Sequence, residues 1–258
     1  MLPQEEKQMG MNREFYSEAE KKLWEMYKEK GVGDCETCMG CRGEEKNGHL
    51  SRPVSAWFVG NRFYENDHLC ILFVGKNARG FFPDAEKEED RGVSAGINNA
   101  FSCRLNLTGK GWAFWNYTRE IIRECFGDDS PEHVALTNMV KCNNSDSIDT
   151  TTDIMKNACI GNLHVLTEEI RTIQPTHVVF YTGRDYDNYI EEAVFDRGSV
   201  IWGRSDCQKV GKYDSPWGAG IGSVDGRKIQ FLRTCHPERK NKTEFVRLVY
   251  DWIKKTES

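Results

Sequence analysis

The chain has 258 residues, of which 38% are hydrophobic and 29% are charged. This composition supplies a sizeable apolar core and excludes a largely disordered chain. Lys and Arg total 35 against 40 Asp and Glu, a formal charge of −5, which excludes a positive field over the whole surface that would hold a polyanion. A nucleic-acid partner would therefore have to be bound through local basic clusters.

The apolar runs are all far shorter than the roughly 20 residues that span a bilayer, and the first ten residues contain no apolar signal core. We therefore expect a soluble, cytoplasmic protein without a membrane partner, and nothing in the sequence indicates an obligate protein partner. The chain has ten cysteines. In a cytosolic protein these indicate reduced thiols or metal ligands rather than disulfides.

Apolar periodicity predicts an amphipathic helix over 11–30 that ends at Gly31. Four continuous apolar runs then predict strands that are buried on both faces. These runs cover 70–75, 134–140, 177–182 and 229–234. Helices are predicted between and after them, over 112–126, 152–173 and 242–255.

This alternation of strands and helices predicts an α/β protein with three αβα layers around a central, mostly parallel sheet of about four strands. We expect a single domain over 1–258, with an N-terminal helix and a Cys-rich segment at 11–48. Residues 81–111 and 196–228 are Gly-rich, show little periodicity and are predicted to be long inserted loops. Ligands of open α/β folds bind where the carboxyl ends of the strands meet, so we expect the functional site at that edge.

Three cysteines lie within seven residues, at Cys35, Cys38 and Cys41. This spacing lets the thiols converge on one metal ion or cluster, although a structural zinc or a loop with incidental thiols remains open. A further ligand must come from elsewhere in the chain. Cys142 directly follows a predicted strand, and Cys159 lies 17 positions later inside the next predicted helix.

Several short motifs occur in the order found in the iron–sulfur (fourth) family of uracil-DNA glycosylases. TNMVKC at 137–142 is followed by Cys159 and then by QPTHVVFYTG at 174–183. GKNARG at 75–80 resembles the first motif of this superfamily, and His236-Pro237 resembles its late His-Pro. The resemblance spans roughly 35–240, and the separation of its last two cysteines is one residue longer than in that family.

The resemblance implies one [4Fe–4S] cluster. Carried over by position, its ligands would be Cys142, Cys159 and two of the three N-terminal cysteines. Cys35 and Cys38 are favoured, with Cys41 as an alternative to Cys35. The remaining cysteines are interpreted as buried small hydrophobic residues. They are Cys70, Cys103, Cys125, Cys207 and Cys235.

The resemblance also implies catalytic roles for Asn77, which would position a water molecule, and for His236, which would donate to a pyrimidine carbonyl oxygen. Gly75 and Lys76 would belong to the same substrate-binding loop. The iron–sulfur family carries Glu where this chain has Lys76, so this loop is more similar to that of the mismatch-type glycosylases. A strand-to-helix turn without chemistry is the alternative interpretation of the loop.

Asn138 would read the polar edge of a flipped uracil, since an amide both donates and accepts hydrogen bonds. Superfamily members also stack an aromatic ring on the base. Phe82 is a candidate for that role, and Phe101, Trp112 and Phe114 compete with it, although helical spacing favours Phe114 as a core residue. The candidate DNA-binding side chains are Arg79, Arg239 and Lys240.

These expectations combine into a DNA-repair function, in which the chain hydrolyses the N-glycosidic bond of uracil or a related deaminated base in single- or double-stranded DNA. A superfamily member that has lost excision and only binds nucleic acid or a nucleotide is the alternative. A third hypothesis is that the cysteines bind zinc in an unrelated transferase.

Overall fold

The structure is a computed structural model that describes residues 17–32, 58–77, 113–141 and 151–257. Most of the Cys-rich segment and all of the predicted loop at 81–111 lie outside these ranges. Predicted site residues and stacking candidates that lie outside them are Cys35, Cys38, Cys41, Arg79, Phe82, Phe101, Trp112 and Cys142.

The helices lie close to their predicted positions. They are α1 (Glu18–Glu29), α2 (Ala113–Phe126), α3 (Asp153–Lys156), α4 (Val165–Ile173), α5 (Asp187–Tyr189) and α6 (Lys242–Thr256). The Ser17 hydroxyl caps α1 by accepting from the Glu20 N–H at 3.2 Å. Beyond its last turn Gly31 has a φ of +61°, which glycine adopts readily, so the helix ends where the sequence predicts.

The predicted α/β class is confirmed, and the sheet is larger than expected, with eight strands. The strands are β1 (Phe58–Val59), β2 (Ile71–Gly75), β3 (Val134–Asn138), β4 (His177–Phe180), β5 (Ile201–Trp202), β6 (Cys207–Val210), β7 (Tyr213–Val224) and β8 (Arg227–Thr234). Their order is β1-β3-β2-β4-β8-β7-β5, with β6 paired to β7. The pairs among β3, β2, β4 and β8 are parallel and the others are antiparallel, so the sheet is mixed.

Helices cover both faces of the sheet. Successive strand residues point to opposite faces, so each strand contributes to both cores. Leu72 and Val74 of β2 pack in one core with α1 and α4. Ile71 and Phe73 pack in a second core with α2 and α6. No helix in the described part of the chain combines the length and apolar character needed to cross a membrane.

The segment 196–228 forms strands rather than the long loop that we predicted. It contains β5, β6 and β7, and β7 pairs along its length with β8. Glycines in β7 lie against aromatic residues: a Cβ at Gly220 would overlap the Trp202 Cβ and the Phe231 ring, and one at Gly222 would overlap the Phe195 ring. These positions therefore lack the side chains from which strand periodicity is recognised.

The predicted helix at 152–173 is interrupted. After α3 the backbone forms a π-helical turn over Asn157–Asn162, and α4 begins at Val165. His164 precedes α4 in the left-handed region, with a φ of +49°. Such π turns are frequent at functional sites, and this one contains Cys159.

Candidate functional site

Two predicted site residues lie side by side at the carboxyl edge of the sheet. Gly75 ends β2 and Asn138 ends β3, and these two residues are register partners. The pairing continues beyond both strands, since the Met139 N–H donates to the Gly75 carbonyl at 2.8 Å and the Val140 N–H donates to the Lys76 carbonyl at 2.9 Å. This ladder fixes the two strand ends relative to each other.

Gly75 allows the Asn138 side chain and an aromatic ring to approach the same point. A Cβ on Gly75 would overlap Asn138 Oδ1 and would lie 3.3 Å from Phe114 Cε2. Asn138 itself is only 7% exposed. Phe114 is therefore the aromatic residue that the described structure brings to the predicted site, although helical spacing favoured it as a core residue.

Phe114 connects this point to the loop after β8. Its ring is stacked against His236 with centroids 6.2 Å apart and planes inclined by 27°. On another side it makes an edge contact with Tyr181, at 5.2 Å between centroids. Phe114 is half-buried, and its ring is adjacent to the Gly75–Asn138 contact and to the His236 imidazole.

The tautomer of His236 is set by its own loop. The Glu238 N–H donates to His236 Nδ1 at 3.2 Å. A neutral imidazole has one acceptor and one donor nitrogen, so the ring proton lies on Nε2. The Glu238 carboxylate lies 3.9 Å from Nδ1. Nε2 is therefore the hydrogen-bond donor of this ring.

The Asn77 side chain has no hydrogen-bond partner among the described residues, although both its Oδ1 and Nδ2 atoms are buried. Buried amides are normally paired, so such atoms indicate a position for water or a ligand. Neighbouring Lys76 instead forms an ion pair with Asp185, at 3.1 Å between Nζ and Oδ2. Lys76 is thus held by a carboxylate that follows β4.

The two described DNA-binding candidates differ in their surroundings. The Arg239 side chain is 91% exposed and lies 4.0 Å from the Glu238 carboxylate. The Lys240 backbone is fixed, because the Tyr117 hydroxyl donates to its carbonyl at 2.7 Å. Its ammonium group lies over the Tyr213 ring, 5.7 Å from the centroid. Both residues lie in the loop that carries His236.

A buried polar network that the sequence analysis missed lies behind Asn138. Lys141 Nζ donates to Glu169 Oε2 and to Thr137 Oγ1, each at 2.7 Å, and also to the Asn138 carbonyl. The Tyr27 hydroxyl donates to the other oxygen of Glu169. Neither Lys141 nor Glu169 is exposed to solvent. The network therefore fixes the backbone of Asn138 from the opposite face of the sheet.

Burial acts on both charged members of this network. It lowers the pKa of Lys141 to about 7 and raises the pKa of Glu169 well above its usual range. Both shifts arise because a low-dielectric interior penalises the charged forms. The pair has no net charge whether the proton in its 2.7 Å hydrogen bond lies on Lys141 Nζ or on Glu169 Oε2. Lys141 follows the end of β3 and Glu169 lies in α4, 28 positions later. Their pairing is visible only in the folded structure.

Of the predicted cluster ligands, the structure describes Cys159. Its buried Sγ accepts from the Lys141 N–H at 3.5 Å, directly before Cys142 in the chain. Val32, three residues before Cys35, and Val140 pack in the same core as Cys159. Within the described residues alone, no group of three or more candidate metal ligands occurs.

The other described cysteines follow the interpretation as buried residues in part. Cys70 and Cys235 are buried, Cys125 is half-buried, and Cys103 lies outside the described residues. Burial raises the pKa of Cys70 to about 11 and that of Cys125 to about 12, which keeps both thiols protonated. Cys207 contradicts the interpretation because it is exposed, with its Sγ accepting from Arg184 at 3.2 Å.

Comparison with known proteins adds no family to this description. No family model matches the chain, and a search of curated proteins finds no significant match.

Proposed function

We propose that the chain is a DNA glycosylase that hydrolyses the N-glycosidic bond of uracil or a related deaminated base. The observation that carries this proposal is that the Phe114 ring lies beside both the Asn138 amide, at Gly75, and the His236 ring. An aromatic face, an amide and an imidazole donor are the groups needed to stack on a flipped pyrimidine and bind its polar edge.

In this proposal each of the three side chains has a separate task. Phe114 stacks on the base. The side-chain amide of Asn138 accepts from the ring N–H of uracil and donates to a carbonyl oxygen, and Lys141 holds the main-chain carbonyl of the same residue. His236 Nε2 donates to the other carbonyl oxygen, on which negative charge grows as the base departs. Cytosine presents the reverse donor and acceptor pattern, so an amide held in this orientation favours uracil.

Asn77 supplies the position for the attacking water. Its two unsatisfied amide atoms can hold a water molecule beside the sugar. The C1′–N1 bond breaks with its electron pair on the base, the water oxygen bonds to C1′, and one water proton passes to the departing base. The products are an abasic sugar and the free base. No side chain has to act as a strong base, because the sugar already carries positive charge when water attacks.

The fold is consistent with the proposal. The parallel strands β3, β2, β4 and β8 form the middle of a mixed sheet with helices on both faces, as expected for the uracil-DNA glycosylase superfamily. We further propose that Cys142, Cys159 and two of Cys35, Cys38 and Cys41 hold a [4Fe–4S] cluster. Its task is structural, because it fastens the N-terminal segment to the turn after β3.

The experiment is excision from a labelled oligonucleotide with one uracil, either single-stranded or opposite guanine, followed by alkaline scission. Protein purified without oxygen should release uracil, and Asn77→Ala and His236→Ala should each lower the rate by about 10²-fold or more. Asn61→Ala and His68→Ala are matched controls on exposed residues away from the site. Full activity in both site variants would contradict the assigned roles.

A second candidate function has its own observation. Lys76 stands where the iron–sulfur family carries a glutamate in its first motif, and it is paired with Asp185. Glu238 adds negative charge beside His236. A protein that binds uracil-containing DNA without releasing the base would fit this arrangement. Saturable binding by iron-replete protein, with no alkali-sensitive product, would favour this candidate over the glycosylase.

A further inference from the structure

The β6–β7 hairpin extends beyond the carboxyl edge of the sheet on the side of His236. Trp217 of β7 pairs with Thr234, the last residue of β8. β7 begins at Tyr213, four residues earlier, which corresponds to roughly 13 Å at the rise of a strand. The tip of this hairpin therefore lies outside the edge at which the candidate site is formed.

The hairpin tip is held against the start of α6. The Gly211 N–H donates to the Glu244 carboxylate, and Gly211 has a φ of +65°. Val210 is fully buried in the core that includes α6. Asn241 caps α6 by accepting from the Glu244 N–H at 3.0 Å. The hairpin and the loop after His236 thus form one continuous surface.

This surface presents an exposed aromatic ring between two lysines, which we call the hairpin platform: Lys212, Tyr213 and Lys240. Tyr213 is 52% exposed. Lys212 Nζ lies 5.2 Å from its ring centroid and Lys240 Nζ lies 5.7 Å from it. Cation–π contacts of this kind orient the lysines without neutralising them.

Three carboxylates lie near the hairpin platform. Asp214 is the register partner of Lys209, and adjacent strand residues alternate in direction, so it points away from the Tyr213 face. The Glu244 carboxylate is held at the start of α6, where it accepts from the Gly211 N–H. Glu238 lies beside His236 and Arg239. The platform therefore combines an aromatic face with two cationic groups on a chain whose overall charge is −5.

We propose that the hairpin platform binds the DNA strand a few nucleotides from the base in the candidate site: a base stacks on Tyr213 while the two flexible lysine side chains leave its ring and contact neighbouring phosphates. This inference rests on the proposed function. Stacking on an aromatic ring and charge on neighbouring phosphates are the two general means of binding single strands. Tyr213 lies roughly 13 Å beyond the end of β8 along the hairpin. At about 3.4 Å per stacked nucleotide, this distance corresponds to roughly four nucleotides.

Binding to a fluorescent oligothymidine of about 12 nucleotides tests the platform without requiring excision. Tyr213→Ala should raise Kd about ten-fold, whereas Tyr213→Trp should leave Kd unchanged or lower it. Lys212→Gln combined with Lys240→Gln should reduce the slope of log K against log salt by roughly 1.4, the value for two single-strand phosphates. Tyr250→Ala and Lys254→Gln are the controls, because this pair has a similar contact, 6.0 Å, near the other end of α6.

Flank length gives the second readout. For the unaltered protein, affinity for a uracil oligonucleotide should drop when one flank is shortened below about four nucleotides, and Tyr213→Ala should abolish this drop. Unchanged Kd and salt slope in the platform variants would overturn the inference even if uracil is released. Weakened binding in those variants without any uracil release would instead support the platform and reject the glycosylase.

Discussion

At the residue scale, Gly75 determines whether the candidate site can form. Its missing side chain leaves room for the Asn138 amide and for the edge of the Phe114 ring. Gly75 also takes part in the ladder that continues past β2, through its carbonyl. The glycine is therefore needed for close approach of side chains rather than for an unusual backbone conformation.

We predict that Gly75→Ala lowers kcat/KM for uracil excision by about 10²-fold or more, because a displacement of about 1 Å in a positioning group is enough for such a loss. The free energy of unfolding should fall by only about 1–3 kcal/mol, as expected for one added methyl group. Gly161→Ala is the control, since a Cβ there meets nothing within 4 Å. Equal activity of the two variants would show that the position of Asn138 does not matter.

At the element scale, the strands buried along their whole length were predictable from their apolar runs. β2, β3 and β4 are buried at every residue, which is the pattern that the sequence shows. β7 was missed because its glycines owe their place to Trp202 and Phe195, whose proximity depends on tertiary packing. Phe114 was assigned to the core because its helical spacing does not show that the first turn of α2 reaches the sheet edge.

The buried pair Lys141–Glu169 links the segment after β3 to α4. A buried ion pair is costly to break, because the remaining partner is left without compensation, whereas replacing both partners by apolar residues costs much less. The pair also holds the carbonyl of Asn138. The contact between these two elements is thus both structural and close to the candidate site.

We predict that Lys141→Met and Glu169→Leu each lower the free energy of unfolding by about 3–5 kcal/mol, and that the double variant loses less than either single variant. Urea unfolding of the four proteins provides the coupling energy. The exposed pair Arg171–Asp225 is the control, and its coupling should not exceed about 1 kcal/mol. Additive losses at Lys141 and Glu169 would mean that the two groups do not depend on each other.

At the scale of the whole molecule, the proposed cluster joins segments that are distant in sequence. The π turn over Asn157–Asn162 accommodates one more residue than an α-helical turn and contains Cys159.

We predict that the protein purified without oxygen contains about four iron atoms and as many sulfides per chain. Cys159→Ser should lose most of this iron, because a thiolate ligand is removed. Cys70→Ser should retain it, since burial holds the pKa of Cys70 at about 11 and keeps the thiol protonated. Iron and acid-labile sulfide assays give the result. Zinc in place of iron, or a full complement in Cys159→Ser, would contradict the assignment.

The two outermost strands of the sheet are very short. β1 and β5 lie at opposite ends of the strand order, and each has two residues. A neighbouring copy could therefore add a strand along only a few peptide groups at either side, even though Ile201 of β5 is 79% exposed. For the described part of the chain, the sheet is thereby protected against growth by edge-to-edge association.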